Sequence, residues 1–159
     1  MFVSPRGCMA DADAAADTPL LAVCHDEDVG LCVRALCDCA AGTVVERFEG
    51  AIGPELSQHS LQVRPGLHIS GTRHIGYLSH GCAPNCRLDM ERFELVTLRA
   101  VAAGDILTID YAATEDRLFA QFACACGAAD CRRWIAGRSE PASPAGALYV
   151  AALAAAAPA

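Results

Sequence analysis

The apolar positions of this chain fall in short runs separated by glycine and proline, not in long helical stripes. Residues 31–35 are one such run. Residues 43–48 (Thr-Val-Val-Glu-Arg-Phe) are rich in β-branched side chains and lie between Gly42 and Gly50, which suits a half-buried strand. Residues 59–63 alternate, Arg64-Pro65-Gly66 turns the chain, and residues 67–69 follow. Residues 93–99 form another strand and pair with 86–90 in a hairpin whose turn lies near Glu91-Arg92. Residues 101–105 turn the chain into 106–109. Many short strands without a long amphipathic helix predict a mostly β fold. Helix is expected only in short pieces, around 73–78 and 115–122.

The two ends follow neither period. Residues 1–19 are rich in Ala and Asp and read as disordered. Residues 139–159 open as a Ser/Pro-rich linker and continue as an Ala/Pro-rich tail, helical by propensity but with no amphipathic face to bury. The folded unit is therefore 20–138, divided into a main domain at 20–122 and a cysteine-bearing segment at 123–138.

Composition changes this picture little but removes several function classes. The chain has 159 residues, enough for one domain with a real core. Alanine inflates the apolar fraction of 53%, so the positive mean hydropathy of +0.28 is no membrane signature. No run reaches the roughly 18 apolar residues of a spanning helix. Asp11, Asp13 and Asp17 stand where a signal peptide needs an apolar stretch. The expectation is a cytoplasmic or nuclear protein with no membrane partner. The net charge of -7 argues against direct binding of nucleic acid phosphates and fits a basic partner. All 12 basic residues are arginine.

The ten cysteines, in a chain without an export signal, point to metal binding or free thiols. Cys124-x-Cys126-x4-Cys131 offers three thiolates to one zinc ion, with Gly127 easing the bend. A tetrahedral site needs a fourth ligand, and Cys82 and Cys86 are the candidate donors. Such a site would clamp the C-terminal segment to an upstream loop and build a lid over a cleft. Cys37-Asp38-Cys39 is a weaker signal that could form a second site with Cys24 and Cys32, but buried free thiols are the favoured reading of these four.

Four blocks, in order, now resemble a known family. Ser79-His80-Gly81-Cys82-Ala83-Pro84-Asn85-Cys86 resembles the Asn-His-x-Cys-x-Pro-Asn signature of SET-domain protein-lysine N-methyltransferases. Gly104-Asp105-Ile106-Leu107-Thr108-Ile109-Asp110-Tyr111 is similar to that family's Gly-Glu-Glu-Leu-Thr-x-Asp-Tyr. The C-x-C-x4-C run followed by Arg132 resembles its post-SET zinc motif. Gly30-Leu31-Cys32-Val33-Arg34-Ala35, with Gly42 and Gly50 beyond it, is similar to its opening strand. The resemblance covers most of the folded unit, as a small stand-alone SET protein.

The resemblance implies several small β-sheets with a pseudoknot, in which the segment ending at Tyr111 threads beneath the loop holding His80. It implies methyl transfer from S-adenosylmethionine to the ε-amine of a lysine, by in-line displacement that depends on alignment more than on a strong base. Tyr111 would be the catalytic tyrosine. Gly30, Leu31, Tyr77, Ser79, His80 and Trp134 would line the cofactor pocket, and Ile109 the lysine channel. Phe119 and Phe122 would either wall that channel or anchor the segment before the zinc. Ile109 would leave room for di- or trimethylation. Cys82, Cys124, Cys126 and Cys131 would hold a structural zinc, with Cys86 spare and Asn85 bonding backbone at the crossing. The partner would be a lysine-containing protein or peptide, a histone tail among the candidates; oligomeric state is open. Ser79 stands where the family has Asn, and Val29-Gly30 keeps only the second glycine of Gly-x-Gly. These departures define the competing expectation, an inactive SET-fold binding module.

Overall fold

A strand-length apolar run has one face to bury, and its nearest partner is usually the next run along the chain. The computed structural model describes residues 20–156. In chain order its strands are β1 (Leu21–Asp26), β2 (Gly30–Ala35), β3 (Val44–Arg47), β4 (Ala51–Gly53), β5 (Leu61–Arg64) and β6 (Leu67–Ser70). They continue with β7 (Ser79–His80), β8 (Cys86–Asp89), β9 (Glu94–Thr97), β10 (Thr108–Ile109), β11 (Phe122–Ala123) and β12 (Trp134–Ile135). The helices are α1 (Tyr111–Thr114) and α2 (Pro144–Ala156), and a single 3-10 turn, Ile75–Tyr77, precedes β7.

The strands form small sheets: the antiparallel pairs β1-β2 and β11-β12, the three-stranded β4-β6-β5 and β3-β9-β8, and the pair β7-β10. The hairpin expected over 86–99 is β8-β9, with Phe93 in the left-handed region at φ 54° as the last residue of its turn. Helix was expected at 115–122 and is absent there. The backbone N–H groups that a helix would consume go elsewhere: Asp116 N–H donates to Gln62 Oε1 and Leu118 N–H to Glu140 Oε1. The disorder expected over 1–19 falls outside the described residues.

One core serves these sheets. Val33, Ile69, Ile75, Leu95, Leu107 and Ile109 are each at most 1% exposed within it. Side chains of this size stabilise the fold by roughly 1.5–3 kcal/mol each when fully buried.

β7 and β10 are the exception to the hairpin rule. They run parallel, with Ser79 opposite Thr108 and His80 opposite Ile109. A parallel pair needs a long connection, and here the connection carries β8 and β9. Asn85 holds the junction from the inside. Its Nδ2 donates to Ile106 O at 2.8 Å and its Oδ1 accepts from Thr108 N–H at 2.7 Å. Gly81 N–H donates to Ile109 O at 3.0 Å.

The C-terminal part folds back on the main body. Arg138 Nε donates to Asp116 Oδ1 at 2.7 Å, and Glu140 Oε1 accepts from both Gly137 and Leu118 N–H. The tail, expected to have nothing to bury, docks. α2 lays Tyr149 against Trp134 with ring centroids 5.7 Å apart, and Gly146 touches the indole where any Cβ would collide with it. Close approach through a glycine, not an amphipathic stripe, seats this helix. No helix of the described residues is long and apolar enough to cross a membrane.

Candidate active site and metal centre

The β7-β10 junction puts two sequence blocks side by side at the floor of a cleft of about 1090 Å³. Asp110 caps α1, its Oδ1 accepting from Ala112 N–H at 3.1 Å, and so fixes where the helix starts and where Tyr111 projects. Tyr111 Oη donates to Leu78 O at 2.6 Å. Its ring meets His80 and Phe122 edge-on, at centroid separations of 5.3 and 5.9 Å. Burial and the nearby Glu115 carboxylate push the Tyr111 phenol up to about 12, so it is neutral at physiological pH. With its proton committed to Leu78, the oxygen lone pairs are what it offers to a guest.

His80 is neutral as well. Burial, then the Arg132 guanidinium, lower its pKa to about 4. Nδ1 accepts from Tyr111 N–H at 3.2 Å, which leaves the ring proton on Nε2, 3.4 Å from Cys82 Sγ. Asp110 Oδ1, 3.9 Å from Nδ1, is therefore no ion-pair partner of His80; it is held by Arg132 instead.

The cleft wall carries Gly30, Leu31, Tyr77, Ser79, His80, Phe119 and Phe122 with Tyr111, so most residues assigned by resemblance are brought together. Two are not. Ile109 was expected to face the channel, but it is 1% exposed in the core and absent from the cleft wall. An aliphatic side chain gains most by packing inward there, while its neighbour Thr108 turns its hydroxyl to Asn85. Trp134 was expected over the cofactor and is likewise absent from the wall. Its Nε1 donates to Gln121 Oε1 at 2.9 Å and its ring is covered by α2. Phe119, at 61% exposure, stands at the rim.

One feature of the wall favours a polar ligand. Ser79 Oγ is buried without a hydrogen-bond partner. Gly30, at φ +76°, leaves open space on the same wall where a side chain would project, which is room and not polarity. The sequence reading missed Glu115, a carboxylate 4% exposed yet part of the cleft wall. Nothing in the string Thr-Glu-Asp-Arg marks one acid as buried and the next as solvated. Burial raises its pKa to about 7, although Gln62 N–H donates to its Oε1 at 2.8 Å.

Beside the cleft, the sulfurs of Cys82, Cys124, Cys126 and Cys131 lie within 4.8 Å of one another. Zinc–thiolate bonds of about 2.3 Å set tetrahedral sulfurs about 3.8 Å apart, so the cluster can hold zinc with little adjustment. Backbone N–H groups of Ala128 and Cys82 lower Cys126 to about 6, which favours its thiolate. Gly127, at φ +74°, makes the bend between the pair and Cys131. Cys86 is buried in the core, its thiol pushed up to about 12, and stands apart from the cluster. Cys24, Cys32 and Cys39 are free thiols, the first two with sulfurs 3.5 Å apart, whereas Cys37 is engaged.

No protein-family model matches the chain. It is 34% identical over 110 residues to "Methyltransferase flvH" of Aspergillus flavus, covering 67% of this chain and 62% of that one. It is 32% identical over 65 residues to human "Histone-lysine N-methyltransferase 2D", 37% of this chain and 1% of that protein. It is 26% identical over 140 residues to Drosophila melanogaster "Histone-lysine N-methyltransferase ash1", 74% of this chain and 6% of that protein. The chain thus spans less than two thirds of the length of these relatives. Among solved structures, KRYPTONITE in complex with mCHG DNA and SAH superimposes with a TM-score of 0.57 at 23% identity, covering 72% of this chain and 28% of that one. That likeness shows the fold.

Proposed function

We propose, with a SET-domain fold and methyltransferase relatives as the premise, that this protein transfers a methyl group from S-adenosylmethionine to the ε-amine of a lysine in a protein or peptide. The observation that carries this reading is Tyr111: a neutral phenol lining the cleft, its proton on Leu78 O and its oxygen lone pairs left to accept from a guest. S-adenosylmethionine supplies a methyl carried on a sulfonium. Around it the chain's own residues would do the positioning. Gly30, Leu31, Tyr77, Ser79 and His80 would receive the donor, and the unpartnered Ser79 hydroxyl is the hydrogen-bonding group left free for it. Phe119 and Phe122 would flank the acceptor. Aligning amine and methyl is where most of the acceleration would arise. Trp134 would act indirectly, through β11-β12, and Ile109 through the core.

The four cysteines would hold zinc and pin the C-terminal segment over the cleft. Cys82 belongs both to this cluster and to the loop after β7, so the metal and the Tyr111 floor would share one support. The net charge of -7 supports a basic, lysine-bearing substrate and disfavours a nucleic acid one. KRYPTONITE is also known in complex with an H3(1-15) peptide, and the histone-lysine relatives make a histone tail and a nuclear location the first to test. The test is to incubate zinc-loaded protein with S-adenosylmethionine and either histones or a cell extract, then map the modified residue by mass spectrometry. Methyl-lysine in the products is expected; methyl groups found only on other residues, or none at all, would reject the reading.

A further inference from the structure

A substrate lysine arrives from water as an ammonium, and an ammonium has no lone pair with which to attack a methyl group. The floor of the cleft does not take its proton. Tyr111 is a neutral phenol whose proton already lies on Leu78 O, and His80 Nδ1 is occupied by Tyr111 N–H. Besides the Cys124 thiol of the sulfur cluster, the remaining buried ionisable group on the wall is the Glu115 carboxylate. Tyr111 opens α1 and Glu115 caps its end with extended backbone, Glu115 N–H donating to Tyr111 O at 2.8 Å, and the carboxylate lies close enough to act on the Tyr111 phenol. Gln62 N–H donates to Glu115 Oε1 and fixes the carboxylate at the inner end of β5.

We propose that Glu115 is the counterion of the incoming ammonium and the acceptor of its proton. The inference rests on the methyl-transfer reading and names the group that prepares its nucleophile. The step balances: the N–H bond of the ammonium breaks, its proton binds a Glu115 carboxylate oxygen, and the freed lone pair forms the N–C bond. The C–S bond breaks with its electrons going to sulfur, and the Glu115 proton returns to solvent through the open cleft. The surroundings suit this task. Burial raises the carboxyl to about 7, while the Gln62 N–H, Thr114 and Arg138 oppose that rise and Asp116 adds to it. From α1, Tyr111 faces the carboxylate; from the C-terminal segment, Arg138 does, its Nε taken by Asp116. Asp28 lies on the same wall and is exposed. His59 shares that wall too, but it is exposed, stacked on Tyr77 at 4.8 Å, with Nδ1 at 3.0 Å from Gly76 O.

The test compares wild type with Glu115→Gln and Glu115→Asp. Gln keeps an oxygen for the Gln62 N–H but takes no proton. In wild type, kcat/KM is expected to fall about tenfold per pH unit below roughly pH 7. In Glu115→Gln that limb should move toward the ordinary amine range of about 10.4, leaving the rate near pH 7.5 lower by on the order of 10² to 10³-fold. Glu115→Asp should retain an acid limb. Cofactor affinity of Glu115→Gln should stay close to wild type, and its Tm should match wild type near pH 5, where the wild-type carboxyl is protonated. A Glu115→Gln profile that matches wild type would overturn the proposal, as would a limb that survives in Glu115→Gln and vanishes in His59→Gln. A second readout needs no turnover. n-Butylammonium added at pH 7 should move the carbon-13 signal of the Glu115 carboxyl toward its ionised position, and an unmoved signal would count against the proposal. If wild type transfers no methyl to any amine, the methyl-transfer reading fails, and the n-butylammonium titration still decides whether Glu115 pairs with an amine.

Discussion

The β7-β10 junction and the C-terminal segment from β11 to β12 both border the cleft, yet they are built in opposite ways. The junction is self-sufficient: Asn85 satisfies backbone on the neighbouring segment, Ile109 and Leu107 fill the core beneath it, and Tyr111 is tied to His80 and Leu78. The C-terminal segment has two-residue strands, one large buried side chain in Ile135, and a four-sulfur cluster in place of a core. A region with few large apolar side chains needs another source of stability, and a metal is the economical one. On the zinc reading, the hydrogen-bonded junction would keep its strands without the metal, whereas the C-terminal segment and the Cys82 loop would loosen.

Removing the metal separates the two most sharply. Chelation, or Cys124→Ser, should abolish methyl transfer while β-sheet circular dichroism persists. Trp134, the single tryptophan, reports the lid directly through its fluorescence. Emission should shift to that of exposed indole on metal loss; loss of the whole β signal at the same time would merge the two regions into one cooperative unit. Asn85→Ala attacks the other side. It leaves Ile106 O and Thr108 N–H buried without partners and should lower stability by about 2–4 kcal/mol in denaturant unfolding.

Glu115 sharpens the comparison through pH. Its folded pKa is raised above the ordinary carboxyl value, so its contribution is fully present below about pH 4.5 and is lost as pH rises through about 7. Between pH 5 and 8, wild type should therefore lose up to about 3 kcal/mol of stability that Glu115→Gln does not lose. The smallest effect is expected at α2. Tyr149→Ala should cost roughly 1 kcal/mol and red-shift Trp134 emission, leaving zinc content unchanged.

Much of this was legible because the relevant signals are local. Short runs with β-branched residues, Pro65-Gly66 and the Glu91-Arg92 turn announce β5, β6, β8 and β9, and spacing alone announces three of the four sulfurs. What was not legible depends on tertiary partners. Residues 115–122 carry helix-compatible residues, but their N–H groups are claimed by Gln62 and Glu140 from distant positions. The docking of α2 depends on the absence of a side chain at Gly146, which no periodicity reports. Ile109 and Trp134 sit in motif positions, yet an aliphatic residue beside a filled core and an indole beside a glycine-faced helix turn away from the cleft. Motif position fixes the backbone more firmly than it fixes where a side chain points. Glu115 shows the converse, a site residue in no motif.

The central claim is that the junction around Tyr111 performs methyl transfer. Its most direct test is transfer of labelled methyl from S-adenosylmethionine to histones by zinc-loaded wild type and by Tyr111→Phe at matched folding. Phe keeps the edge-on contacts with His80 and Phe122 and removes only the hydroxyl. The account predicts labelled lysine with wild type and a loss of at least about 10²-fold with Tyr111→Phe. Equal transfer by both proteins would contradict it.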